Sequence, residues 1–212
     1  STHPIAVDMK NMEEVRTNFD GITYAKGASV LQQLVAHVGK ENFFAGLKKY
    51  FAKHAWGNTV LSDLLVELEA TSGRDLTAWT KTWLQTAGVN TFRPELKIAD
   101  GKYAEVAVIQ EVPLVPAGST ELRPHRMAVG LYDVKNGKLE RRKSVELDVS
   151  GARTVIDGLA GEAVADLLLI NDHDLTYGKI RFDETSIATL KKHLGDISDS
   201  LTRALCWSAA WD

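Results

Sequence analysis

Cysteine is nearly absent from this chain. Cys206 is the single one among 212 residues, so no internal disulfide can form, and the sequence fits a reducing, cytoplasmic setting. The thiol sits in LCWSAAW, an apolar helical pattern that reads as a buried structural cysteine rather than a nucleophile. Long hydrophobic runs are missing as well: none reaches the ~18 residues needed to cross a bilayer, and the first residues lack the charged-then-apolar layout of a signal peptide. A membrane partner is therefore not expected. Excess positive charge is also absent. With a net charge of −3 and no clustered basic tract, the chain has no electrostatic footprint for nucleic acid.

The common catalytic signatures are missing too. No G-x-S-x-G elbow, P-loop or G-x-G-x-x-G occurs, which removes the usual sequence routes to hydrolase, nucleotide and dinucleotide chemistry. The histidines, His3, His37, His54, His125, His173 and His193, include no i, i+4 pair, so the helical H-E-x-x-H zinc arrangement is absent. Asp172-His173-Asp174 has the residue types of a ligand cluster. It follows a strand pattern and precedes new structure, where acidic residues commonly serve as turn and cap residues.

What is present is an ordinary globular composition, 44% hydrophobic and 25% charged, whose periodicity changes twice along the chain. Up to about residue 91 the period is helical. Tyr24, Ala28, Leu31, Val35 and Val38 form one stripe, with Asp20 expected as its N-cap and Gly39 as its stop. Phe43, Leu47, Tyr50 and Phe51 mark a second helix. A third is expected from a cap at Asn58 or Thr59, with Leu61, Leu64, Leu65 and Leu68 inward, and a fourth from Asp75 through Trp79 and Trp83 towards Gly88. The two tryptophans read as core. The lysines of LKKYFAKH read as an ordinary solvated face.

From Phe92 to Asn171 the period is two. Asp100-Gly101 and Asn136-Gly137 each separate a pair of alternating runs, the signature of two-residue hairpins, and ADLLLIN is short and apolar enough for a fully buried strand, although periodicity leaves a helix open. Together these predict a small antiparallel sandwich. SIATLKKHLG and SLTRALCWSAAW then return to helical spacing. The chain begins STHPIAVD without methionine and stops inside a helical pattern, which reads as a segment of a longer polypeptide.

Tyr24 stands out in FDGITYAKGASVL. Its place on the stripe with Ala28 and Leu31 favours a packed ring. Its place at the edge of a helix, beside Gly27, also allows the hydroxyl to project into a cleft, with the glycine permitting close approach by a neighbouring backbone or ligand. Pattern alone leaves both open.

FDGITYAKGASVLQQL, preceded by STHPI and followed by GKENFFAGLKKYFAKHAWGNT, closely resembles the aminopeptidase N family of zinc metallopeptidases, in its actinobacterial form. The resemblance continues through LTAWTKTWLQTAGVNTFRPEL, RPHRMAVGLYD, LLLINDHDLTYGKIRFDE and SLTRALCWSAAWD, and so covers essentially the whole chain. It implies an α+β multidomain fragment. Residues 1–91 would be the C-terminal helical part of a thermolysin-like catalytic domain, 92–172 the β-sandwich domain, and 173–212 the truncated beginning of an α-helical domain. It also implies that Tyr24 donates a hydrogen bond to the oxyanion of the reaction. The zinc ligands and the motif that grips the substrate's free amine belong, in the family, to a missing N-terminal half. The implied parent cleaves N-terminal residues from peptides, while this chain alone would hold no zinc and be inactive. A non-catalytic scaffold of the same fold is the alternative.

Overall fold

A computed structural model describes residues 3–6, 12–13 and 21–211. The expected cap at Asp20 lies outside the described residues. The chain divides into two compact units, residues 3–87 and 88–212.

The first unit is helical. It comprises α1 (Gly21–Val38), α2 (Lys40–Lys53), α3 (Leu61–Ser72) and α4 (Thr77–Leu84). Gly39 and Gly73, both at positive φ, end α1 and α3 in the conformation that L side chains resist. Helices α2 and α3 pack closely because Gly46 has no side chain: a Cβ there would lie 2.7 Å from Leu68 Cδ2. The Thr71 hydroxyl donates to the Asn42 carbonyl at 2.8 Å across the same seam. Trp79 and Trp83 are buried, as their spacing predicts.

Helices α3 and α4 differ in detail from their sequence pattern. Neither Asn58 nor Thr59 caps α3. The helix starts at Leu61, the Asp63 carboxylate accepts from the Val60 N–H at 3.0 Å, and Thr59 is instead taken by the Tyr50 hydroxyl at 2.5 Å. Leu61 is exposed, and of the four leucines expected inward only Leu68 is fully buried. The N-cap of α4 is Leu76 rather than Asp75, which lies one residue earlier with its Oδ1 accepting from the Thr77 N–H at 2.8 Å, a bond that lowers the carboxyl pKa. Helix α4 ends at Leu84, short of Gly88.

In the second unit the two hairpins appear where the turn dipeptides place them. Strand β1 (Thr91–Ala99) turns through Asp100 and Gly101 into β2 (Lys102–Glu111), and β3 (His125–Lys135) turns through Asn136 and Gly137 into β4 (Lys138–Val149). All four turn residues have positive φ, which matches the right-handed twist of the flanking strands. With β5 (Arg153–Val155), β6 (Leu167–Asp172) and β7 (Lys179–Ile180) they form two sheets, ordered β5-β2-β1-β7 and β4-β3-β6. Every pairing is antiparallel except the short β1–β7 contact.

Between the sheets lie Phe92, Tyr103, Met127, Val129, Leu131, Leu159, Leu168 and Ile170. A second core holds Tyr132, Leu139, Leu167, Leu169, Leu190, Ile197 and Cys206, where α5 (Glu184–His193) and α6 (Ser200–Trp211) cover the outer side of β6. Strand β6 is thus buried on both faces, with Leu168 and Ile170 towards one core and Leu167 and Leu169 towards the other. That explains its unbroken apolar run, since alternation survives only where one face meets water. Cys206 is buried here, and desolvation, reinforced by the Asp172 charge, pushes its thiol up to about 12.

Candidate functional site

Tyr24 lies in the opening turns of α1 and is 60% exposed. The stripe read from spacing packs only at its C-terminal end, where Val38 is buried and Val35 half-buried. Tyr24, Ala28 and Leu31 face outward, and the face that packs is Lys26, Val30, Gln33, Leu34 and Val38. The helix carries two sets of residues at the helical period, and periodicity supplies the period without choosing between the phases. Gly27 also departs from expectation. A Cβ there would meet nothing within 4 Å, so no neighbouring backbone among the described residues makes a close approach.

Lys26 is a polar residue on the packed face. It is only 4% exposed, and its Nζ donates to the Thr86 carbonyl, beyond the end of α4, at 2.9 Å. Residues two apart on a helix point about 200° from each other, so drawing Lys26 inward turns Tyr24 outward. The surface around the helical unit is also rich in uncovered apolar groups. Leu31, Phe44, Phe51, Trp56, Val60, Leu61 and Val66 are all exposed, Trp56 fully so and at positive φ.

The other residues singled out by sequence are structural. His37 stacks on Trp79, with Arg74 Nη1 and His37 Nδ1 3.2 Å apart. His125 is buried in the second unit against the edge of Phe92, its Nδ1 2.6 Å from Thr176 Oγ1, and desolvation lowers its pKa to about 3. Asn171, His173 and Asp174 all have positive φ, and the Asn171 side-chain amide closes the turn on both backbone groups of Thr176, at 2.9 and 3.0 Å. This is the turn role expected for that acidic segment. Among the described residues no group of three or more His, Cys, Asp and Glu side chains lies together in a way that could hold a metal ion.

Sequence reading missed what Asp172 does. Its carboxylate is fully buried, accepts from the Tyr132 hydroxyl at 2.6 Å, and takes a two-pronged contact from Arg141 at 2.8 and 3.0 Å. The Tyr132 oxygen lies 3.3 Å from the Thr202 hydroxyl, so the cluster joins β3, β4 and β6 to α6. Burial, then the bond to Asp172, raises the Tyr132 pKa. Its members are 30 or more positions apart along the chain, apart from the nine that separate Tyr132 and Arg141, and no local pattern marks them.

Comparison with known proteins identifies the lineage. The peptidase family M1 domain matches residues 1–83, the part that contains Tyr24 and its helix. Aminopeptidase N of Streptomyces lividans is 56% identical over 217 aligned positions that take in all of this chain and 25% of that protein. Tricorn protease-interacting factor F2 of Thermoplasma volcanium is 41% identical over 46% of this chain and 12% of its own length. Aminopeptidase M1 of Arabidopsis thaliana is 27% identical over 90% of the chain and 22% of its own length. The chain thus spans about a quarter or less of these relatives. Helical unit first, sandwich next and two further helices last, it is an M1-family homologue of actinobacterial aminopeptidase N.

Proposed function

We propose that this chain is part of a zinc aminopeptidase that removes N-terminal residues from peptides, and that Tyr24 is its oxyanion-stabilising donor. The observation that carries the reading is the outward presentation of Tyr24, 60% exposed on the helix matched by the M1 domain. A ring serving only as core would be covered. A phenol held at the surface of a helical unit can reach a substrate bound beside it, and its O–H is suited to donate to an oxygen that gains negative charge in the transition state.

Residues 1–91 are assigned to the end of the catalytic domain, 92–172 to the sandwich domain and 173–212 to the opening of the helical domain. The partners are peptides with free N-termini and the missing N-terminal half of the same polypeptide, in the cytoplasm, without nucleic acid or membrane. Zinc does not fit the described residues of this chain, which bring no ligand set together. In this reading its ligands belong to the missing half.

The test is Tyr24→Phe in the longer polypeptide, which keeps the ring and deletes the hydroxyl. Loss of one oxyanion donor costs ~2.7–4 kcal/mol, so kcat should fall roughly 10²–10³-fold with the melt unchanged and KM moving much less. A near-wild-type kcat removes the catalytic role. This chain alone should neither retain stoichiometric zinc after dialysis nor cleave aminoacyl reporters. Chelator-sensitive turnover by the 212-residue chain would contradict that.

A further inference from the structure

Resting on the oxyanion reading of Tyr24, the geometry points to Lys26 as the positioning residue for that phenol. Tyr24 is 60% exposed and lies in the first described turns of α1. The same turns contain Gly27, about 1 kcal/mol less favourable in a helix interior than alanine. Gly27 adds no contact, since even a Cβ there would meet nothing within 4 Å. A donor to a developing oxyanion must be held to within about 0.5 Å.

Lys26 supplies the restraint. Its buried Nζ reaches across 60 positions of sequence to the Thr86 carbonyl at 2.9 Å. The acceptor lies just beyond the C-terminal end of α4, where helix carbonyls concentrate partial negative charge and a cation is favoured. That end is itself anchored: the Thr86 hydroxyl donates to the Thr82 carbonyl, and the Ala6 N–H donates to the Leu84 carbonyl at 2.8 Å. Because residues two apart point about 200° from each other, the tether faces inward and the phenol outward. Lys26 would not touch the substrate. It would fix the angle of the turn that presents Tyr24.

The test compares Lys26→Met, which keeps the length of the arm and removes the charge and donors, with Lys26→Arg, which keeps both. In the longer polypeptide Lys26→Met should lower kcat about 10- to 100-fold, the scale of an ångström-sized misplacement, with KM little changed. Lys26→Arg should recover most of the loss. Placed on a Tyr24→Phe background, Lys26→Met should add almost nothing, because it acts through a hydroxyl already gone. In the 212-residue chain, hydrogen exchange at amides 25–29 should speed up about tenfold or more while the rest of α1 keeps its protection. If Lys26→Met loses its folded melt, Lys26→Gln replaces it with the same expectations. A wild-type kcat for Lys26→Met beside a costly Tyr24→Phe overturns the proposal, as do equal losses on both backgrounds or unchanged exchange. A silent Tyr24→Phe instead removes the catalytic reading of Tyr24, and Lys26's positioning role with it, while exchange still decides whether the tether exists.

Discussion

The two units handle the same problem, covering apolar surface, in different ways. In the sandwich unit the strands bury nearly all of theirs, and the large apolar groups left open are mostly in the loop at Val112, Leu114 and Val115 and on the closing helices, at Ile187, Leu201 and Trp207. The helical unit leaves Tyr24, Leu31, Phe44, Phe51, Trp56 and Val66 outside while taking Lys26, Gln33 and Glu67 inside. Two sheets packed face to face bury their apolar inner faces against each other, whereas four helices enclose only a narrow seam. The contrast is between a sandwich finished as a core and a helical unit that leaves an apolar surface of the kind used for contact, the surface that carries the role proposed for Tyr24.

The comparison breaks most readily in the core of the sandwich. Leu131→Ala removes a fully buried side chain from central strand β3 and should cost roughly 2–5 kcal/mol of stability, whereas Leu31→Ala on the outer face of α1 should stay within about 0.5 kcal/mol. Comparable losses in denaturant titrations would mean that the outer face of α1 is packed after all.

Acid should separate the units next. His125 has its pKa lowered to about 3 in the folded state against about 6.5 unfolded, so between those values the unfolded chain binds more protons. The stabilisation is complete above pH 6.5 and lost as pH falls towards 3, amounting to a few kcal/mol. His125→Gln should flatten that part of the stability–pH curve, and an unchanged slope would show that His125 is not held neutral.

Smaller again is Asp172→Asn, which leaves Arg141 without its charge partner and weakens the acceptor for Tyr132. A cost of roughly 1–3 kcal/mol is expected, with earlier exchange in α6 than in β1 and β2. The smallest effect belongs to the surface of the helical unit. Phe51→Ser with Trp56→Ser should shift the melt by no more than the equivalent of about 0.5 kcal/mol while reducing self-association and hydrophobic-dye binding at high concentration. Unchanged association would place the sticky surface elsewhere.

Much of the architecture was legible where the cause is local. Asp-Gly and Asn-Gly specify turns through their own backbone preferences, so both hairpins follow from sequence. Trp79 and Trp83 follow from spacing on a helix with one apolar stripe. Helix α1 was harder because both of its faces repeat at the helical period, and the choice between them depends on what folding brings against the helix, including the carbonyl 60 positions away that takes Lys26. The start of α3 failed for a similar reason: Thr59 has the chemistry of a cap, but the Tyr50 hydroxyl claims it.

The Y-x-K spacing, the turn dipeptides and the apolar run of β6 were determined by the sequence itself, because each acts through neighbours a few bonds or one helical turn away. The face of α1 turned inward, the second buried side of β6 and the meeting of Asp172 with Tyr132, Arg141 and Thr202 were decided only by the tertiary structure. Each depends on a partner that the chain brings near only on folding. A buried charge or hydroxyl is tolerated only when that partner arrives.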